Sequence, residues 1–246
     1  MRLIHFFSCT SSALALALCA ASAHADNIAW TNWSSATPGT ATPGSATGTI
    51  TSTVLGTITV TYSGQNTGLI TVPSWTPTST FTGGVVGNAP PQANKSIQIE
   101  GGQTYTESVT FSQPVADPIL AIWSLGAPGV PAFFDFTASE PFNVLGGGPS
   151  AEFGGTAIVK QGNNIFGQEG NGIVQFIGTY STITFTTPNF ENYYAITFGE
   201  DATLTDSGAG GGGGTSTVPE PETLSLLGLG LSALPLLRSR LLRTRA

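Results

Sequence analysis

Between Asp26 and Val218, the side chains able to do acid–base or coordination chemistry are almost all carboxylates. Twelve Asp and Glu stand there against two basic residues, Lys95 and Lys160, and the stretch has no His, Cys or Arg. Both histidines, His5 and His24, and both cysteines, Cys9 and Cys19, precede Asp26. A Ser-His-Asp or Cys-His nucleophile is therefore excluded from the body of the chain, as are the usual His/Cys zinc sites. Two carboxylates flanking a scissile bond could still hydrolyse a glycoside. Asp117, Asp135, Glu140, Glu152 and Glu169 are available for that, and nothing in their spacing selects a pair. The expectation is a protein that is not an enzyme, with a carboxylate-based glycosidase as the catalytic alternative.

Hard cations want carboxylate and carbonyl oxygens from loops, which an acidic, Gly-rich chain can supply. Asp117, next to Pro118, and the adjacent Glu200 and Asp201 are the candidate Ca2+ ligands, although no Asp-x-Asp-x-Asp-Gly loop is present. No other cofactor is expected. The Gly runs at 146–148 and 210–214 are not placed between a strand and a helix, as a phosphate-binding loop would be. Sugar recognition would need flat aromatic faces. Trp30, Trp33 and Trp75 lie in polar, turn-rich surroundings and are the candidate glycan contacts, whereas Trp123 sits inside the apolar run 119–125 and reads as core. Phe190, Tyr193 and Tyr194 beside Asn189 and Asn192 form a second aromatic and amide surface. A net charge of −10 over this stretch argues against nucleic acid, which requires clustered Lys and Arg.

These residues are carried on short apolar or alternating runs separated by Gly, Pro and Asn. Residues 49–54 and 58–62, rich in β-branched side chains, predict a hairpin through Leu55-Gly56. Further strands are predicted at 69–72, 96–100, 104–111, 119–125, 132–137, 142–145, 156–160, 173–177, 182–186 and 193–198. Eleven or twelve short strands at this spacing describe an all-β, antiparallel β-sandwich, with a jelly roll as the preferred topology and a closed barrel as the alternative. The near-repeat Ala36-Thr37-Pro38-Gly39-Thr40 and Ala41-Thr42-Pro43-Gly44-Ser45 reads as turns in an extended, solvated arm.

The two ends of the 246-residue chain have a different composition. Arg2, an apolar run and the small residues Ala23 and Ala25 describe a signal peptide over 1–25, with Asp26 as the new N-terminus. Residues 26–206 are then the sandwich domain and 207–217 a Gly/Ser/Thr linker. Residues 218–246 hold Val218-Pro219-Glu220-Pro221, a hydrophobic segment over 223–237 expected to be helical, and a basic tail over 238–246 with Arg238, Arg240, Arg243 and Arg245. Arginines after the apolar run and none before it place the C-terminus in the cytoplasm and the body outside.

This C-terminal constellation resembles the PEP-CTERM sorting signal of Gram-negative bacteria. The resemblance implies that an exosortase, a membrane-embedded cysteine-type transpeptidase, recognises the tail in the inner membrane and removes it near Pro219-Glu220-Pro221. It also implies a location at the cell surface or in the extracellular matrix, in association with exopolysaccharide and biofilm. The body, through Trp30-Thr31-Asn32-Trp33 and the stretch 172–200, is similar to those of many such proteins.

Overall fold

A computed structural model describes residues 25–71, 75–137, 140–192 and 194–202. Residues 1–24 of the expected signal peptide, the expected linker over 207–217 and the sorting segment with the helix expected over 223–237 lie outside the described residues. Two antiparallel sheets make up the body. The first holds β1 (Ile28–Trp30), β5 (Gly68–Ile70), β6 (Ser96–Ile99), β8 (Ile119–Leu125), β10 (Phe142–Pro149), β13 (Gly170–Phe176) and β15 (Tyr194–Asp201). The second holds β2 (Asn32–Thr37), β3 (Gly39–Ser52), β4 (Gly56–Asn66), β7 (Glu107–Ala116), β9 (Ala132–Phe136), β11 (Val159–Gln161), β12 (Asn164–Gly167) and β14 (Thr179–Thr186). The lateral orders are β10-β13-β8-β15-β6-β5, with β1 also on β15, and β11-β12-β9-β14-β7-β4-β3-β2. From β6 onward the chain changes sheet at every connection except β11 to β12. The sheets do not close into a barrel.

Period-two alternation explains the interior. Ile58, Val60 and Tyr62 on β4, and Val109 and Phe111 on β7, point inward to meet Leu120, Ile122, Val174, Ile196 and Phe198 of the facing sheet. Aromatic rings fill one end of this core: Phe136 contacts Phe142 at 5.2 Å, Phe176 at 5.1 Å and Phe185 at 5.8 Å between centroids. The predicted hairpin is present, with Ile50 opposite Ile58 and Ser52 opposite Gly56.

The run Ile119–Leu125 has no polar face, and the structure shows why. Leu120 and Ile122 face the main core, while Ile119, Ala121 and Trp123 face a second cluster containing Ile28, Trp30, Trp75, Phe81, Val86, Ile173 and Ala195. This outer cluster draws Trp75, Phe81 and Val86 from the long connection between β5 and β6, which carries 3₁₀ turns at Thr78–Phe81 and Gln92–Asn94. A strand buried on both faces reads as a continuous apolar run. The Gly146-Gly147-Gly148 run belongs to this packing. A Cβ on Gly146 would fall 2.5 Å from the Thr82 carbonyl oxygen, and one on Gly148 would fall 2.8 Å from Thr80 Cγ2.

The segment read as a solvated arm is instead part of the second sheet. β2 pairs with β3, Ala36 opposite Ala46 and Thr37 opposite Ser45, and only the tip around the Pro-Gly doublets lacks this register. The pairing satisfies backbone groups that a Pro-Gly reading would assign to water. The expected strand over 156–160 is reduced to β11, which pairs with the unexpected β12, and 142–145 extends to Pro149.

Candidate functional site

The three tryptophans read as glycan contacts are interior residues, which corrects that expectation. Trp33 is 1% exposed in the main core and donates its indole N–H to Thr197 Oγ1 at 3.1 Å. Trp30 lies in the outer cluster over Gly199, where a Cβ would come within 2.8 Å of the indole, and donates to the Asn88 carbonyl at 3.2 Å. Trp75 packs edge-on against Phe81 at 5.0 Å and is 1% exposed. None of the three offers a face to a sugar. Trp123 is core, as expected. Of the second aromatic surface, Phe190 is exposed, Tyr194 is buried, and Tyr193 lies outside the described residues.

Several of the carboxylates act as hydrogen-bond acceptors that tie separate segments of the chain together. Glu140 accepts from the Thr184 N–H at 2.7 Å and its hydroxyl at 3.0 Å. Glu152 accepts from the Trp123 indole at 3.3 Å and the Ser150 hydroxyl at 3.0 Å. Asp117, with φ of 44°, ties the β7–β8 turn to the β13–β14 turn by accepting the Gly178 N–H at 2.6 Å while its own N–H donates to the Gly178 carbonyl at 2.7 Å. Glu200 and Asp201, adjacent on β15, are both buried. Glu200 accepts from the Ser52 hydroxyl at 2.9 Å, and burial followed by the Asp201 charge raises its pKa against that hydrogen bond. Asp135 lines a cleft of about 220 Å³ with Thr106, Phe136, Thr137, Phe185 and Thr186. Among the described residues, no three His, Cys, Asp or Glu side chains gather as a metal site.

Two clusters escape the sequence reading. The first is in the main core, where Glu107 is wholly buried. Its carboxyl meets the hydroxyls of Tyr62 and Thr187, and burial pushes its pKa up to about 7 despite those bonds and the Gln65 N–H. The Tyr62 hydroxyl also lies 2.6 Å from the Gln65 carbonyl oxygen. A phenol has one proton to give. If Gln65 takes it, the contact between Tyr62 and Glu107 requires a proton on Glu107, in agreement with the raised pKa. Inward-facing Val109 and Phe111 put Glu107 on the core face by period two, which is the signal that could have found it.

The second cluster is at the end of β8. Ser124 and Glu169 both have left-handed backbones, with φ of 60° and 57°. Ser124 donates its hydroxyl to the Glu169 carboxylate and its N–H to Asn171 Oδ1 at 2.9 Å. Glu169 donates its own N–H to the Gly126 carbonyl at 3.1 Å. Glu191 lies on the β14–β15 connection, where its N–H donates to the Glu100 carbonyl at 2.9 Å. Glu191 is 5% exposed, and its Oε1 has no hydrogen-bond partner among the described residues. Burial, then the charge of Glu169, push its pKa up to about 8.

Two facing antiparallel sheets with acids tying their loops define an all-β sandwich body. A family model for the PEP-CTERM protein-sorting motif matches residues 217–240. The chain therefore carries a PEP-CTERM sorting signal that includes Val218, Pro219, Glu220, Pro221, Arg238 and Arg240, with Arg243 and Arg245 beyond the match. That motif supports an exported protein sorted by an exosortase. Comparison with curated proteins and with solved structures finds no match.

Proposed function

We propose that the protein is a non-enzymatic component of the cell surface or extracellular matrix. It is exported by its signal peptide, held transiently in the inner membrane by residues 223–237, and trimmed near Pro219-Glu220-Pro221 by the exosortase. In this reading the trimmed body contributes to an exopolysaccharide layer or biofilm. The observation that carries the proposal is the sorting motif at 217–240. The residue types support it: the body has no His or Cys, and its acids serve as loop acceptors. The body itself is proposed to be jelly-roll-like. Its order β6-β15-β8-β13, facing β7-β14-β9-β12, supports this, since consecutive strands alternate between sheets as in two Greek keys.

Intact mass of the protein recovered from cell-surface and medium fractions tests the proposal. The expected species begins at Asp26 and ends near 219–221. Protein extending to Ala246 in every fraction would remove the processing step and leave a plain membrane anchor.

A further inference from the structure

We propose that the outward face of the second sheet, together with the cleft at Asp135, binds a neutral polysaccharide chain. On β3, β4, β7 and β14, every outward side chain over residues 45–51, 57–63, 108–112 and 182–186 is Ser or Thr, exposed or half-buried, while the alternate residues are buried. Strand pairing aligns these hydroxyls in rows. One row runs from Thr47 through Thr61 and Thr110 to Thr182. The next runs from Ser45 through Ser63 and Ser108 to Thr184. Two residues further along β14, Thr186 stands opposite Asp135 and lines the cleft with Thr106 and Thr137. The outer face of the first sheet is different: it carries the apolar cluster around Trp123, covered by the β5–β6 connection.

A hydroxyl both donates and accepts, and Thr adds a methyl, so this face matches the alternating C–OH and C–H edges of a sugar without an aromatic ring. Most of its hydroxyls are available. Thr110 and Thr182 share a contact at 3.3 Å, Ser112 accepts the Thr59 N–H and Thr184 donates to Glu140, and among the described residues the other hydroxyls of the array bond to no protein group. Asp135 is exposed, and its carboxylate likewise has no partner among the described residues, which leaves both oxygens to accept from sugar hydroxyls. Charge selects the class of partner. The rows hold no ionised side chain, the ionised group in the cleft is an acid, and the body carries a net charge of −10, so an acidic polymer is repelled and a neutral one is not. The rows advance by about 4.8 Å per strand, close to the rise of one pyranose along an extended chain. A flexible chain can also follow the twist of the sheet. The inference rests on the reading of the body as a matrix component.

Affinity electrophoresis of the full chain tests it, with exopolysaccharide from the producing cells parted by anion exchange into a neutral and an acidic fraction. The neutral fraction should retard the protein and the acidic one should not. Thr61→Val/Thr110→Val/Thr182→Val keeps the shape and strand preference of three exposed positions and should weaken retention roughly tenfold or more. Asp135→Ala should do the same, whereas Thr156→Val, in the exposed segment before β11, should leave retention unchanged. Unchanged urea midpoints check that these surface variants fold. The proposal fails if the neutral fraction does not retard the wild type, if the acidic fraction retards it as strongly, or if the triple variant or Asp135→Ala keeps wild-type retention. A concentration-dependent dimer dispersed by the triple variant would assign the face to a second copy and also overturn it. Processed protein ending near 219–221 that neither fraction retards would sink this site alone. Retention lost in both variants by protein extending to Ala246 would uphold the site and remove the processing step.

Discussion

Replacing Glu107 by Gln should leave stability near pH 4.5 almost unchanged and increase it above pH 7. The native carboxyl has its pKa raised to about 7 from an ordinary 4.5, a shift of about 2.5 units. At 1.36 kcal/mol per unit this is about 3 kcal/mol of differential stability. Between the two pKa values the folded state holds a proton that the unfolded chain releases, so stability falls as pH rises through that window. The protonation-linked stability of Glu107 is present in full below about pH 4.5 and is lost once the pH passes about 7. An amide reproduces the protonated acid. Its oxygen accepts from the Thr187 hydroxyl, and its NH2 donates to the Tyr62 hydroxyl, which then donates to Gln65.

Urea unfolding at pH 4.5 and pH 8 reads this out, because all four tryptophans are buried and report global unfolding. Glu191 and Glu200 also have raised pKa values, so the wild type loses stability with pH for several reasons. The informative quantity is the difference between variant and wild type at each pH. It should be near zero at pH 4.5 and about 3 kcal/mol in favour of the variant at pH 8. A variant destabilised equally at both pH values would refute the reasoning. It would mean that Glu107 is ionised in the native core and that Tyr62 gives its proton to the carboxylate rather than to Gln65.

Two further outcomes follow from the tryptophans. Trp33→Ala should lower unfolding free energy by about 3–5 kcal/mol, the usual loss for a large buried aromatic, as measured by chemical denaturation. Retention on polysaccharide that fell without this stability loss would restore the glycan-contact reading. Gly199→Ala should destabilise by about 1–3 kcal/mol in the same assay, since its Cβ would fall 2.5 Å from Ile28 Cγ2 and 2.8 Å from the Trp30 ring. An unchanged midpoint would show that β1 does not need its close approach to β15.

What was legible in the sequence is what period two and β-branching report. The β3–β4 hairpin and β8 were readable because Thr, Val and Ile alternate in one and apolar residues fill 119–123 of the other. β2 was not, because Pro38-Gly39 and Pro43-Gly44 signal turns, and only the long-range register to β3 shows that strand flanks them. Trp75 was misread for a related reason. Its chain neighbours are polar, but the surface it covers, Ile119, Ala121 and Trp123, comes from another part of the chain. A polar neighbourhood in sequence says little about a residue whose burial is decided by the sheet beneath it. The Ser124–Glu169 contact had no local signal, since its members lie 45 positions apart, on β8 and on the β12–β13 connection. The sorting motif was fully legible because short consecutive residues carry it.

The acids of the body share one physical logic. A body with 12 carboxylates and two lysines between Asp26 and Val218 cannot neutralise its charge by ion pairs, so its carboxylates accept hydrogen bonds from neutral donors instead. Thr184, Ser150, Gly178, Ser124 and Ser52 supply these, joining loop to strand at Thr184 and Ser124, turn to turn at Gly178 and strand to strand at Ser52. Such bonds do the stapling that disulfides often do in exported domains, in a body that has no cysteine. The self-repulsion they leave uncancelled is felt where one acid's charge adds to the burial of another, at Glu191 under the charge of Glu169 and at Glu200 under that of Asp201. At those two places the stability of the sandwich falls as pH rises through the raised pKa values of Glu191 and Glu200.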